Sequence, residues 1–137
     1  GARADGRLTA VEASIYGDSG PYLSLGMYVI KKAGIHATGP YYVPNVKVDT
    51  YTVTTNNLIG GAMRGFGVLQ IAVAHEPQMD MLARGLGISP VEFRLINCLK
   101  PGVTTATGQV VNEGTGIGAT LTRIRDYMTQ HGLEWSR

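Results

Sequence analysis

Apolar positions alternate near the amino end of the chain and fall into helical spacing further on. In LTAVEASIYG, Thr9, Val11, Ala13 and Ile15 share one face, the period of a half-buried strand. Asp5-Gly6 before it is a hairpin-turn signal, and only Gly1 to Ala4 precede that turn, so a hairpin cut through its first arm is expected. After a loop at DSGPY (18–22), LSLGMYVIKKAGIHATG reads as a helix. Leu23, Met27, Ile30 and Gly34 form its stripe, with Val29 beside it, and Gly39-Pro40 ends it. His36, near that end, reads as solvated or bonded to the last carbonyls. VKVDTYTVTT (46–55) is β-branched and reads as a second strand. Its phase slips, with Val46 and Val48 on one face and Tyr51 and Val53 on the other. A strand covered on both faces, or a bulge near Thr50, would explain the slip.

NNLIGGAMRGFG (56–67) is an irregular loop long enough to be functional. The helix expected from about Val68 to Leu86 is apolar on nearly all sides in its first half, which predicts central burial, and Pro77 should kink it. His75 shares a stripe with Val68, Ala72, Met79 and Leu82 and reads as a hydrogen-bonded core residue. Gly85 and Gly87 stop the helix. Ser89-Pro90-Val91-Glu92 then starts another, with Ser at the N-cap, Pro at the first position and Glu completing a capping box. Phe93, Ile96 and Leu99 should point inward, with Cys98 a small packing residue. A polar connector with a brief strand at Gln109 to Val111 leads to a last helix, about Gly116 to His131. Ile117, Leu121, Ile124 and Met128 form its inner stripe, and Arg123, Arg125 and Asp126 its solvated face.

Composition narrows the class. With 137 residues, 44% apolar and 16% charged, the chain suits a folded domain rather than a disordered one. A net charge of +2, with no basic run, gives no nucleic-acid surface. The single Cys98 excludes an internal disulfide and a cysteine-rich metal site and fits a reducing compartment. No membrane-length apolar run or amino-terminal signal pattern occurs, so a soluble cytoplasmic protein without membrane contact is expected.

Candidate chemistry centres on AMRGFG (62–67), where Arg64 and Phe66 alternate with glycines just before a helix. Glycine on both sides permits φ > 0 and close approach to the main chain, and the first helical turn offers unpaired N–H groups. Residue chemistry alone allows a plainer reading, a tight turn with a solvated Arg and a core Phe. Other motifs fail. Gly65-Phe66-Gly67 begins a dinucleotide fingerprint, but Gln70 holds the third glycine position, and no Walker lysine follows a glycine run. Asp18, Glu76 and Asp80 are the acids expected inside. Glu76 and Asp80 stand four apart on one helix, a spacing that calls for a basic partner such as Arg84. No paired acids, metal-ligand cluster or activated nucleophile emerges, so no catalytic or metal-ligating residue is assigned.

Three collinear runs carry a family resemblance: GDSGPYLSLG (17–26), HATGPYYVPNV (36–46), and AMRGFG followed by Gln70, Glu76, Met79, Asp80, Ala83, Leu86, Gly87 and SPVEFRLINCLKPG. Together they resemble the molybdenum-binding subunit of the xanthine dehydrogenase and aldehyde oxidase family over nearly the whole chain. The chain departs from the family at Met63, where phenylalanine is common, and at Leu69, where proline often precedes the glutamine. The resemblance implies an oxidoreductase that hydroxylates an aromatic heterocycle or an aldehyde with water-derived oxygen. Its molybdenum would be held by a pterin dithiolene, with electrons passing to iron–sulfur clusters and often to FAD on other domains or subunits. It places Arg64 and Gly65 near the cofactor, mainly through backbone, and Phe66 edge-on to the substrate ring. Lys32 falls where xanthine-type enzymes carry a substrate-orienting arginine. Lysine lacks arginine's planar fork, which argues against a purine.

The family's upstream glycine-rich cofactor loop and downstream catalytic glutamate motif are not within these residues. The expectation is therefore an internal fragment, residues 1–137 forming one domain of a larger molybdopterin-binding subunit, inactive and without cofactor when isolated. Its fold class is α+β, about four helices on a small mixed or antiparallel sheet. Its partners would be the rest of that subunit, the iron–sulfur and flavin parts and a small-molecule substrate. A rival expectation is a binding or assembly module of the same fold without redox chemistry.

Overall fold

The structure, a computed structural model, describes residues 1–133; the last four residues of the expected 1–137 domain lie outside the described residues. Its elements run β1 (Ala10–Asp18), α1 (Gly26–Ile35), β2 (Asn45–Val53), α2 (Val68–Leu86), α3 (Pro90–Asn97) and α4 (Ile117–Gln130). The α+β class and four helices agree with expectation. The sheet corrects it: β1 and β2 form a two-stranded parallel sheet, neither mixed nor antiparallel. Glu12 pairs with Lys47, Tyr16 stacks on Tyr51 and Ser19 N–H donates to Val53, so both strands advance together. The cause is α1, which crosses back between the strands and returns the chain in the same direction.

The described residues divide into two compact units. One contains residues 11–39 and 46–76, the other 1–10, 40–45 and 77 onward, and the division within α2 falls between Glu76 and Pro77.

In the first unit, β1 turns Val11, Ala13, Ile15 and Gly17 to its half-buried face, as the alternation predicts. The phase slip in β2 reflects neither a strand covered on both faces nor a bulge near Thr50. Val46, Val48 and Thr52 are half-buried, and Thr50 lies against Gly34 on the same side. Tyr51 and Val53 face away, 47% and 45% exposed, with Tyr51 stacked on Tyr16 at 4.8 Å between ring centroids. The expected stripe on α1 is also corrected. Leu23 precedes the helix and Met27 is exposed, while Gly26, Val29 and Ala33 are buried. Small residues win because neighbouring backbone comes close: Gly26 lies against Ser19, and Gly67 against the main chain of Val29 and Ala33. Ala33, Ala37 and Ile71 form the core, with Ile15 and Val48 packed on it. His36 is the exposed C-cap residue of α1.

The first half of α2 is not buried all round. Ile71 is 8% exposed, but Leu69 is 52% and Val73 76% exposed. One side meets the core of this unit and the opposite side does not. His75 is nearly buried against Gly39, its Nε2 3.4 Å from the Glu76 carboxylate.

In the second unit, Gly1–Ala4 do pair as the short first arm. Arg3 N–H donates to Arg7 at 2.8 Å, and Gly6 makes the turn at φ +84°. Buried Asn97 holds this hairpin: its Oδ1 accepts from Leu8 N–H, and its Nδ2 donates to the carbonyls of Gly6 and Phe93, each at 2.8 Å. Asp80 pairs with Arg94 of α3 at 2.7 Å, whereas Arg84 reaches only its backbone carbonyl, so the expected ion pairing exists with a different partner. The capping box does not close. Ser89 is the N-cap and Pro90 follows, but no side-chain cap bond forms, and Glu92 instead reaches Arg125 on α4 at 3.3 Å. Phe93 is fully buried, whereas Ile96 is 36% exposed. Leu99 lies beyond the end of α3 at Asn97 and is half-buried. Cys98 is buried as expected. The brief strand near Gln109 is a single bridge between Thr104 and Val110. On α4, Leu121 is 8% exposed and Ile124 40%, so the stripe is half right.

Candidate functional site

The parallel β1–β2 pair sends both strands to a common carboxyl end, the place where such sheets expose loops for ligands. Asp18, Ser19 and Gly20 leave β1 there. Ser19, 1% exposed, binds the end of β2 twice, N–H to the Val53 carbonyl at 3.0 Å and Oγ to the same oxygen at 3.1 Å. Its own carbonyl accepts from Gly60 N–H at 3.1 Å, while Gly20 O accepts from Thr55 N–H at 3.0 Å. Gly20 has φ +71°, and a Cβ there would lie 2.5 Å from the Leu58 carbonyl oxygen, so this close approach requires glycine.

The Asp18 carboxylate closes the same junction. Oδ1 accepts from Thr55 Oγ1 at 2.6 Å and Gly20 N–H at 2.8 Å, and Oδ2 accepts from Asn57 Nδ2. The Thr55 hydroxyl, the Asn57 amide and the Gly20 N–H hold its pKa below the usual carboxylate range. Asp18 is thus exposed, not interior, and its partners come from the other strand's exit. Sequence reasoning missed this network. The available signal was an Asp-Ser-Gly turn at one strand end and a Thr-x-Asn turn at the other.

The chain then runs through Gly60 and Gly61 to Arg64–Gly67. Gly65, Phe66 and Gly67 all take positive φ, at +94°, +53° and +100°. The alternating glycines therefore serve a left-handed turn, and Phe66 enters it at steric cost. Phe66 N–H donates to Met63 O at 2.9 Å and Val68 N–H to Gly65 O at 3.1 Å, which holds the turn at the head of α2. The N–H groups of Leu69 and Gln70 in the first turn of α2 have no backbone acceptor among the described residues.

Two of the four sequence-derived site residues come together. Lys32 Nζ, from α1, lies 6.0 Å from the centroid of the Phe66 ring, at the outer limit of a cation–π contact. Gly65 is next to Phe66, half-buried, and Arg64 is exposed. A cavity of about 620 Å³ opens within this unit, bordered by Ser19, Gly26, Gly60, Gly61, Gly67 and Gln70. Among the described residues no three His, Cys, Asp or Glu side chains gather as a metal site, and no helix is long and apolar enough to cross a membrane.

Comparison with known proteins fits this geometry. Residues 1–98 match the profile of the molybdopterin cofactor-binding domain. The chain is 48% identical over 126 residues to the nicotinate dehydrogenase large molybdopterin subunit of Eubacterium barkeri, covering 92% of this chain and 30% of that protein. Its fold is similar to the aldehyde oxidoreductase from Desulfovibrio gigas (TM-score 0.88, 35% identity, 94% of this chain and 14% of that one). It is also similar to quinoline 2-oxidoreductase from Pseudomonas putida 86 (TM-score 0.83, 32% identity, 94% of this chain and 17% of that one). The chain thus spans less than a third of the length of these relatives. It belongs to the molybdopterin cofactor-binding domain family of the xanthine dehydrogenase and aldehyde oxidase type.

Proposed function

We propose that this chain forms one wall of the cofactor and substrate site of a molybdenum hydroxylase that oxidises a carboxylated aromatic heterocycle. The observation that carries this reading is the left-handed Gly65–Phe66–Gly67 turn, with the Lys32 ammonium beside the Phe66 ring. Phe66 would pack on the substrate ring. The Lys32 ammonium, which no carboxylate of the described residues pairs with, would take an anionic substituent. The Eubacterium barkeri relative is named for nicotinate, a pyridine carboxylate.

The residues present fit a pterin cofactor. Nothing lies within 4 Å of the position a Cβ would take at Gly61, so the backbone there is open to approach. The free N–H groups of Leu69 and Gln70 suit the cofactor's phosphate, and Arg64 and Gly65 would contribute mainly through backbone. When bound, the cofactor would supply the redox chemistry, accepting the two electrons released as a substrate C–H and water become C–OH and two protons. This chain would hold and orient both ligands. Both compact units would be parts of one molybdopterin-binding region. The rest of the subunit and the iron–sulfur and flavin parts would be its partners, in the cytoplasm.

The test is the purified full-length protein, analysed for molybdenum and pterin and assayed with carboxylated and uncharged heterocycles. Stoichiometric cofactor is expected, and Lys32→Gln should raise KM for the carboxylated ring about ten-fold or more while leaving the uncharged ring little changed. A cofactor-free protein that still binds its partners would instead identify a non-catalytic assembly module.

A further inference from the structure

We propose that Asp18 is a positioning residue for the Gly60–Gly67 loop: its carboxylate joins the exit of β1 to the exit of β2 and so fixes where that loop leaves the sheet. The proposal rests on the reading that the loop faces the cofactor, but its geometry is independent of that reading. Three donors converge on one side chain, Gly20 N–H from its own turn and Thr55 Oγ1 and Asn57 Nδ2 from the segment leading into the loop. Asn57 is itself set by Thr55, whose Oγ1 accepts from Asn57 N–H at 3.1 Å. Three residues later, Gly60 N–H donates to Ser19 O, so the loop is fastened to the same turn at a second point. Gly60 also comes close to the backbone of Asp18, since a Cβ there would lie 3.0 Å from Asp18 O. Beyond Gly60 the described loop has no such fastening until Phe66 N–H meets Met63 O and Gly67 meets the main chain of α1. The carboxylate is exposed and adds nothing to the core, so its three bonds act on loop placement rather than on packing.

The experiment is amide hydrogen exchange on the full-length protein, comparing wild type with Asp18→Ala, Thr55→Val, Thr55→Ser and, as a control on the same strand, Glu12→Gln. Exchange across 57–66 should rise about ten-fold or more in Asp18→Ala and Thr55→Val, and by much less at the centres of β1, α1 and β2. Thr55→Ser, which keeps the hydroxyl, and Glu12→Gln should behave as wild type. Asp18→Ala should also lower bound pterin per chain, and KM for substrate should rise more than kcat per bound molybdenum falls. Unchanged exchange across 57–66 would overturn the proposal, as would a rise spread evenly over the strands, or loosening confined to the loop with cofactor content and KM unaltered. If the wild-type protein holds no pterin, the cofactor reading fails, and the exchange pattern alone then decides whether Asp18 positions the loop.

Discussion

The backbone of Gly67 rests directly on the carbonyl oxygen of Val29, with no room for a Cβ between them. This contact seats the glycine turn on α1 and explains why position 67 needs glycine twice over, for space and for its φ of +100°.

Gly67→Ala should therefore destabilise the fold by about 3 kcal/mol or more, combining a backbone clash with a left-handed conformation. Gly85 is the useful contrast. It is helical, has no positive φ, and nothing lies within 4 Å of a Cβ placed there. Gly85→Ala should stabilise by about 0.5–1 kcal/mol, from the better helix propensity of alanine. Denaturant melts of the two variants check both signs, and equal effects would mean that α1 does not approach the turn as described.

On α4 the structure separates two residues that periodicity puts together. Leu121→Ala should cost about 2–5 kcal/mol, as for a buried leucine. Ile124, at 40% exposed, should cost less than about 1 kcal/mol when replaced by alanine. If both cost alike in melts of the full-length protein, Ile124 is covered there by another part of the molecule.

Much of this fold is legible in the sequence where backbone chemistry dictates it. Ser89-Pro90 fixes the start of α3 and the glycines around Phe66 announce positive φ, whereas α1 stops at Ile35, ahead of the expected Gly39-Pro40 end. Burial by close backbone approach is not legible in the same way. Apolar spacing selects Met27 on α1, whereas the buried positions are Gly26 and Ala33, because small residues admit a neighbouring chain and carry little hydropathy signal. Side-chain competition is equally hidden. Glu92 has the right spacing for a capping box, but Arg125 lies within reach and takes its carboxylate. At the site, the glycine turn follows from local sequence and the interest in Lys32 and Phe66 from the family resemblance, while their approach, like the Asp18 junction that brings residue 18 to residues 55 and 57, depends on the fold.

That junction has an acid signature. The donors on Asp18 favour its charged form, so its pKa in the folded protein lies below the ordinary carboxylate value of 3.8. The unfolded chain then binds the proton first. The stabilisation is fully present above the unfolded value and is lost as pH falls through the folded one. Melts recorded from pH 5 downward should show wild type losing stability below about pH 4, with part of that slope missing in Asp18→Asn. An identical slope in the variant would mean that the carboxylate is not held in its charged form.

The glycine turn itself gives the sharpest test of the site. Phe66 occupies φ +53°, a conformation that costs a non-glycine residue about 1 kcal/mol or more, so its side chain must compensate elsewhere. If the compensation is contact with a planar substrate, Phe66→Ala in the full-length enzyme should lower kcat/KM for aromatic substrates about ten-fold, with molybdenum content nearly unchanged. Arg64→Ala should do less, because the backbone N–H stays when an exposed side chain is removed. Gly65→Val should be the worst of the three. A branched side chain at φ +94° is strained, and its Cβ would lie 2.9 Å from Leu69 Cγ, displacing the turn and the first residues of α2 together. The expected order of loss is valine at 65, alanine at 66, alanine at 64. Steady-state kinetics normalised to bound molybdenum, with melting temperatures alongside, measure it. A Phe66→Ala protein that melts much earlier but turns over normally per bound molybdenum would make Phe66 a core residue and remove it from the substrate site.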